Sequence, residues 1–561
     1  MAYRAPAAEI RFILDHVVPL APVAATERFA DATPETVVTV LTGAARLCDE
    51  VLAPLNRNGD TDPARLEDGK VRASTGFEAG YRAIADGGWI AVSAPPEFGG
   101  MGLPQTLSVA LNDMMSGACL ALQLNPLLTQ GQIETLEHHA DDAMRNLYLP
   151  KLISGEWAGT MNLTEPQAGS DVGALRTRAE PRGDGTYAIT GQKIFISWGD
   201  SDLTGNICHL VLARLPDAVP GTKGISLFMV PKYIPDDQGN PGPANNLKVV
   251  SLEHKMGLHG SPTCVMAFEG ATGWMVGQPQ NGMAAMFTMM NNARLAVGVQ
   301  GIGVAEAAFQ KALSYAHDRV QTGPIIRHPD MRRMLATMKA EVFAARSIAL
   351  ACAVALDMGR ATGDPVWTAR AALLTPIAKA YGTDVGCRVA DTGIQVHGGM
   401  GFIEEAGAAQ FLRDVRVTAI YEGTNGIQAM DLVGRKMMDE GDAALRLIEE
   451  IQDHAEAARE RLPDLAGEVW SAAEALREAT EALLAQDLDD RLAGAVPFLG
   501  AFARVLGAHF HLRAAMAGGA ACTALARVHL RRILPAFEPL LAEARAGGSD
   551  LLALAFDEAA S

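Results

Sequence analysis

The order of hydrophobic periods predicts an α+β protein in which one strand-rich segment interrupts two long helical ones. From Pro34 to about Trp157, apolar residues recur at helical spacing, as in Thr36 to Val51 and Thr106 to Leu124. Between about Ala158 and Gln278 the pattern changes to short runs rich in β-branched residues, such as Ile207 to Ala213 and Gly224 to Val230, separated by Gly, Pro, Asp and Asn. From Asn281 onward the helical spacing returns.

These shifts divide the chain into four segments. Residues 1–157 form a helical domain, with Gly99-Gly100-Met101-Gly102 and Pro104 marking a loop. Residues 158–279 form a middle β domain, a barrel or sandwich. Residues 280–440 form a second helical bundle, which includes Met331 to Met358 and a helix expected to open at Thr375-Pro376, since proline suits a first turn. Residues 441–561 are rich in Ala, Leu, Glu and Arg and contain no Lys, with breaks at Pro463, Gly494 to Pro497, Gly518-Gly519 and Gly547-Gly548. This extension is expected to cover the core or pack a dimer. Arg527, Arg531 and Arg532 could offer a small basic patch to a membrane, but acids outnumber arginines there.

At 561 residues, 49% hydrophobic and 20% charged, the chain exceeds what one core usually serves. A net charge of −18 disfavours nucleic acid as the main partner, because phosphate binding depends on Lys and Arg. Seven dispersed cysteines form no CxxC or Cys/His cluster, which argues against structural zinc and against a disulfide framework. Glu9, Arg11 and Asp15 interrupt any leader-like apolar core, and no apolar run reads as long enough to span a bilayer. A cytoplasmic protein without a metal is expected.

The chemistry concentrates in a few motifs. Ile420-Tyr421-Glu422-Gly423-Thr424-Asn425 follows Gln395-Val396-His397-Gly398-Gly399, and glycines there let backbone approach a flat ligand closely. Glu422 would face that ligand as a base. A blander reading has Thr424 or Asn425 capping a helix that starts near Ile427, with Glu422 a loop acid at its N-terminus. Upstream, Met161-Asn162-Leu163-Thr164-Glu165-Pro166-Gln167-Ala168-Gly169-Ser170-Asp171-Val172-Gly173 is a polar loop with several donors. Gly191 to Ser197 alternates as a strand does, which puts Phe195 and Ser197 on one face. A ring and a hydroxyl so placed suit an isoalloxazine, although ordinary sheet packing gives the same pair.

The order of these motifs resembles the acyl-CoA dehydrogenase family over roughly residues 75 to 440. Tyr3-Arg4-Ala5-Pro6, Ile10-Arg11-Phe12 and the long tail look most like its 3-methylmercaptopropionyl-CoA dehydrogenase branch. The resemblance implies FAD as cofactor, an acyl-CoA substrate, an electron-transfer flavoprotein as acceptor, and a homodimer or dimer of dimers. It implies Glu422 as catalytic base, with its amide as half of the oxyanion site. Some relatives carry the base just before the arginine that Arg294 matches, but here Ala293 holds that place.

By the same resemblance, Leu163, Thr164, Gly169, Ser170, Phe195, Ile196 and Ser197 contact the flavin, with Ser197 the partner of N5. Arg319 and Gln321 reach the cofactor of a neighbouring subunit. Gln395, Gly398 and Gly399 follow its adenine side, and Thr424, Asn425 and Gly426 complete the site. Ser170, Asn291, Arg294, Tyr421 and Gly423 bind substrate, Arg294 through CoA. Thr322-Gly323 and Asp330 depart from the usual Phe-Gly and Gln, which puts the contact across subunits in doubt. Phe195 stands where Trp is frequent, keeping a ring but losing an indole donor. The implied reaction yields a 2-enoyl-CoA, from 3-methylmercaptopropionyl-CoA or from a short-, medium- or long-chain fatty acyl-CoA. A DNA- or protein-binding flavoprotein of this fold would need a basic surface, which the acidic chain lacks. An oxidase using O₂ is the third reading.

Overall fold

The structure, a computed structural model, describes residues 3–554. It resolves into two compact units: Thr42–Ser108 with Ala118–Ala293, and the remainder, comprising the residues up to Leu41, Val109–Gly117 and the chain from Arg294 onward.

In the first of these units, β1 (Arg65–Glu67) and β2 (Lys70–Arg72) form a hairpin inside the segment expected to be helical. Asp68 and Gly69 both take positive φ at its tip, as a two-residue Asp-Gly hairpin turn requires. The strand-rich segment follows as β3 (Trp157–Asn162), β4 (Arg178–Pro181), β5 (Tyr187–Ser197), β6 (Asn206–Arg214), β7 (Ile225–Pro231), β8 (Tyr233–Pro235), β9 (Pro241–Ala244), β10 (Leu247–Leu252) and β11 (Thr263–Val276). Strand β11 pairs with β5, β5 with β4, β4 with β6, β6 with β7, and β7 returns to β11. The ring therefore closes into a barrel, with the β4–β6 seam a single parallel pair at Arg178 and Arg214. Strand β3 adds to β6, β10 adds to β11, and β8 and β9 form a separate hairpin. Ile189, Val211, Phe228, Val230, Met266 and Phe268 fill the interior. Strands β6 and β7 are buried along almost their whole length, which explains why they read as continuous apolar runs.

In the other unit, helices Pro329–Thr362 and Pro365–His397 run beside the part of helix Gly282–Asp318 that starts at Arg294. Glycines set the spacing between Gly282–Asp318 and Pro365–His397. A Cβ on Gly298 would sit 2.7 Å from the Ala378 carbonyl oxygen, and one on Gly301 would sit 2.5 Å from that of Gly382. In the opposite direction, Gly382 faces the Gly298 carbonyl at 2.6 Å and Gly386 faces that of Gly301 at 2.8 Å. Backbone thus packs on backbone, which no larger residue permits.

Two expectations are corrected. Pro376 opens no helix; it lies within Pro365–His397, whose first-turn proline is Pro365, capped by the Asp364 carboxylate. Thr375 Oγ1 donates to the Ala371 carbonyl one turn back, beside the amide that proline cannot supply. Nor are long apolar helices absent. Gln105–His139, Pro329–Thr362 and Ala495–Ala517 are each long and apolar enough to cross a membrane, and each is largely buried within the protein.

The extension beyond Glu440 is helical, and its longest apolar helix, Ala495–Ala517, packs on Pro329–Thr362. His511 shares a hydrogen bond with the Ala340 carbonyl (3.0 Å), and its ring lies 4.7 Å from that of Phe343. The extension therefore completes the core of this unit. All seven cysteines are free thiols.

Candidate active site

Glu422 sits on a turn that L-residues rarely adopt. Its φ is +56°, and Gly423 continues at +85°, a left-handed pair that costs about 1–2 kcal/mol at the non-glycine position. Thr424 then caps helix Asn425–Asp431, its side chain accepting from the Ile427 amide at 3.3 Å. The capping role and the acid before it are therefore both present. Among the described residues the Glu422 amide donates to no backbone or side-chain acceptor, which leaves it available to a substrate oxygen.

The turn is tied down from helix Pro365–His397. Lys379, fully buried, donates through Nζ to the Gly423 carbonyl (2.8 Å) and to Asn425 Oδ1 (2.9 Å). Asn425 Nδ2 donates back to Asp384 Oδ1 (2.7 Å) and Thr383 Oγ1 (3.0 Å). Gln428 Nε2 reaches the Glu422 carbonyl at 3.3 Å, and the Tyr421 hydroxyl donates to buried Gln300.

Burial pushes the Glu422 carboxyl up to about 7, and the nearby cations Arg294 and Lys379 restrain the rise. Burial likewise brings the Lys379 ammonium down to about 8, against the pull of Glu422 and Asp384. Arg294 is 5% exposed and pairs with Asp431 at 3.4 Å, while Asp431 also holds Arg435 at 2.6 Å. The guanidinium expected to touch CoA is thus buried in an internal ion pair and acts on Glu422 through its charge.

The residues expected against the flavin ring lie in the unit that carries the barrel. Their loop is organised by an acid the sequence reading did not single out. Glu165 accepts from Lys193 Nζ (2.9 Å), the Thr177 amide (3.0 Å) and hydroxyl (2.6 Å), the Arg176 amide (2.7 Å) and Gln167 Nε2 (2.7 Å). Lys193, fully buried, also donates to the Leu163 carbonyl at 2.9 Å, and the Ile194 amide donates to Thr164 O. Burial raises the Glu165 carboxyl, but Lys193 and the hydrogen bonds outweigh it and hold the group at about 2. For Lys193 the balance is reversed, since burial brings it to about 8 despite Glu165. The number of donors around Glu165 makes the ionised pair the better reading.

Phe195 and Ser197 do share a side of β5, but not by simple alternation. A bulge falls where Cys264 pairs with Ile196 and Met266 with Lys193. Phe195 takes φ +60° there, and its side chain turns outward, 59% exposed. Without the bulge, 195 and 197 would continue the inward row of Ile189 and Lys193. Ile196, expected at the cofactor, points into the barrel core, so only its backbone can face a ligand. Gly169, Ser170 and Asn291 lie on the surface of the same unit.

Arg319, Gln321, Gln395, Gly398 and Gly399 are exposed. The Tyr315 and His397 rings stack at 4.4 Å and bring the ends of helices Gly282–Asp318 and Pro365–His397 together, so these five residues share one end of the bundle. Cβ atoms on Gly398 and Gly399 would meet nothing within 4 Å, so the backbone there is open to a ligand. Beside Glu422, a cavity of about 420 Å³ is lined by Thr424, Asn425 and Gly426 with Asp384, Cys387, Arg416, Ala419 and Ile420. Within this unit, an open glycine backbone and a cavity at a capped helix start fit a cofactor bearing phosphates.

In the extension, Glu450, His454 and His509 place ligand-type atoms within 4.8 Å of one another. Arg370 already donates to Glu450, and burial, then the His454 and Arg513 charges, disfavour protonation of His509. Two guanidiniums make this a poor place for a cation.

Models of the acyl-CoA dehydrogenase N-terminal, middle and C-terminal domains match residues 36–156, 160–271 and 280–438, and an acetyl-CoA dehydrogenase C-terminal-like model matches residues 447–555. The chain belongs to the acyl-CoA dehydrogenase family. This acyl-CoA dehydrogenase is therefore an FAD-dependent oxidoreductase acting on acyl-CoA. It is 44% identical over 519 residues to 3-methylmercaptopropionyl-CoA dehydrogenase of Ruegeria pomeroyi, covering 89% of this chain and 88% of that one. Its fold is similar to that of Caenorhabditis elegans ACDH-11 in complex with C11-CoA (TM-score 0.82, 20% identity, 95% and 92% of the two chains). It is also similar to that of a Bacillus anthracis acyl-CoA dehydrogenase complexed with FAD (TM-score 0.77, 21% identity, 98% and 94%).

Proposed function

We propose that the protein oxidises 3-methylmercaptopropionyl-CoA to methylthioacryloyl-CoA, with Glu422 as the base. The observation that carries the base is its turn: a carboxyl raised to about 7, next to a backbone N–H without a protein acceptor. Glu422 takes the proton from the carbon next to the thioester carbonyl. Its own amide, donating to the thioester oxygen, stabilises the negative charge that develops there. FAD, when bound, supplies the acceptor for the hydride that leaves the β-carbon. The substrate loses two electrons and two hydrogens and gains a C=C bond.

Leu163, Thr164, Ser170, the Phe195 ring and the Ser197 hydroxyl would hold the flavin, and, in the other unit, Thr424 to Gly426 would be cofactor contacts. Arg319, Gln321, Gln395, Gly398 and Gly399 would take the adenine-side phosphates of a second subunit's cofactor, which implies a homodimer or a dimer of dimers. An electron-transfer flavoprotein would then remove the electrons. Seven free thiols suit a cytoplasmic setting.

The substrate choice rests on the Ruegeria relative. A thioether sulfur is close to a methylene in size, and apolar pockets separate such near-isosteres by only about 1–3 kcal/mol. Butyryl- to octanoyl-CoA are thus weaker substrates in this reading. Ferrocenium-linked turnover across these thioesters tests it. The highest kcat/KM is expected for 3-methylmercaptopropionyl-CoA, and a preference for long acyl chains would overturn the assignment.

A further inference from the structure

The sequence motifs end at the turn itself and leave out the side chain that holds it. Lys379 lies within the run Ile377-Ala378-Lys379-Ala380-Tyr381 of helix Pro365–His397, and none of it is exposed. An ammonium so buried is costly unless acceptors surround it. Its acceptors are the Gly423 carbonyl and Asn425 Oδ1, on either side of Thr424. The titratable and charged groups facing it are Glu422 on the turn, Asp384 and the Cys387 thiol on its own helix and Arg294 on the neighbouring helix.

Asn425 is returned to the same helix through Asp384 and Thr383, so a second link, which shares Asn425 with Lys379, fastens the turn there. The helix is in turn fixed by the close contact at Gly298, Gly301 and Gly382. Glu422 and Gly423 occupy left-handed backbone, which persists only when its surroundings over-determine it. A hydrogen bond to the Gly423 carbonyl restrains that peptide. A positive charge beside Glu422 also favours its ionised form, the form that accepts a proton.

We propose that Lys379 is a positioning residue for the dehydrogenation: it clamps the left-handed turn of Glu422, and its charge beside the carboxyl offsets part of the cost of ionising the base. The proposal rests on Glu422 being the base, and it adds a group that touches neither substrate nor reacting atoms.

Lys379→Gln keeps a buried donor and removes the charge, Lys379→Met removes both, and Asn425→Ala removes the second link and one of the two Lys379 acceptors while leaving the charge and its bond to the Gly423 carbonyl. The readout is anaerobic flavin reduction of each holoenzyme by 3-methylmercaptopropionyl-CoA, followed as a pH profile. Lys379→Gln is expected to retain FAD and to keep KM within about threefold. Its limiting rate at neutral pH should fall about tenfold or more, with the apparent pKa of the rate raised by about half a unit or more. Asn425→Ala should lower the rate with a smaller change in that pKa, because the Lys379 charge stays beside Glu422. If Lys379→Met does not fold, the Gln variant still separates charge from structure. A Lys379→Gln profile that overlays wild type in both rate and pKa would overturn the proposal. A Glu422→Gln enzyme that reduces its flavin at the wild-type rate would instead remove the base assignment on which it stands.

Discussion

The backbone at Glu422 and the carboxyl it carries are both held away from their relaxed states. Burial raises the carboxyl from 4.5 to about 7. Because the folded value lies above the unfolded one, stabilisation by the neutral form is complete below about pH 4.5 and is lost as pH rises through 7. Glu422→Gln is free of that loss. It should therefore gain about 1–3 kcal/mol over wild type at pH 8 and little at pH 4.5, as measured by denaturant unfolding at the two pH values. Glu165 has the opposite sign. Held at about 2, its contribution is present above pH 4.5 and is lost as pH falls toward 2. Glu165→Ala leaves the Lys193 ammonium buried against one carbonyl and should cost about 3–5 kcal/mol. It should also weaken FAD retention, read as flavin released on dilution. Glu422 was legible in the sequence because its motif is local. Lys379 and Glu165 were not singled out, because their partners come from other elements. The available signal was a lysine on an inward or apolar face, as Lys193 is in the row of Ile189 and Lys379 is among alanines and isoleucine.

Among elements, the contact between helices Gly282–Asp318 and Pro365–His397 sets where Arg294, Gln300 and Lys379 stand. Gly301→Ala would place a methyl group 2.5 Å from the Gly382 oxygen. The helices must separate, at about 1–3 kcal/mol. Thermal unfolding should report that loss, and activity should fall with it because Lys379 moves. Periodicity located the long helices and the strands well, since β6 and β7 appear where short β-branched runs were read. It failed where one residue resets a pattern. The bulge at Phe195 reverses the facing of β5, Asp68-Gly69 makes a hairpin within a helical stretch, and Pro376 is tolerated mid-helix. The bulge depends on pairing with β11, far along the chain, which a local period does not contain, whereas the Asp68-Gly69 turn is a local signal that helical spacing overrode.

For the whole molecule, the extension's helix Ala495–Ala517 is buried against Pro329–Thr362, so the apolar length that would suit a membrane serves a core. Sequence hydropathy cannot separate those two uses, since both need the same residues. The exposed group at Arg319, Gln321, Gln395, Gly398 and Gly399 is where a second subunit's cofactor is proposed to dock. Arg319→Ala should therefore lower FAD content and shift the oligomer toward monomer in analytical ultracentrifugation, with normal cofactor content and assembly contradicting the shared site. The base remains the centre of the account. Its most direct test is stopped-flow bleaching of the flavin by 3-methylmercaptopropionyl-CoA, followed across pH for wild type and Glu422→Gln. Wild type should bleach with a rate that rises through about pH 7, while the Gln variant stays yellow, slower by at least about a hundredfold. Bleaching of the Gln variant at the wild-type rate would contradict it.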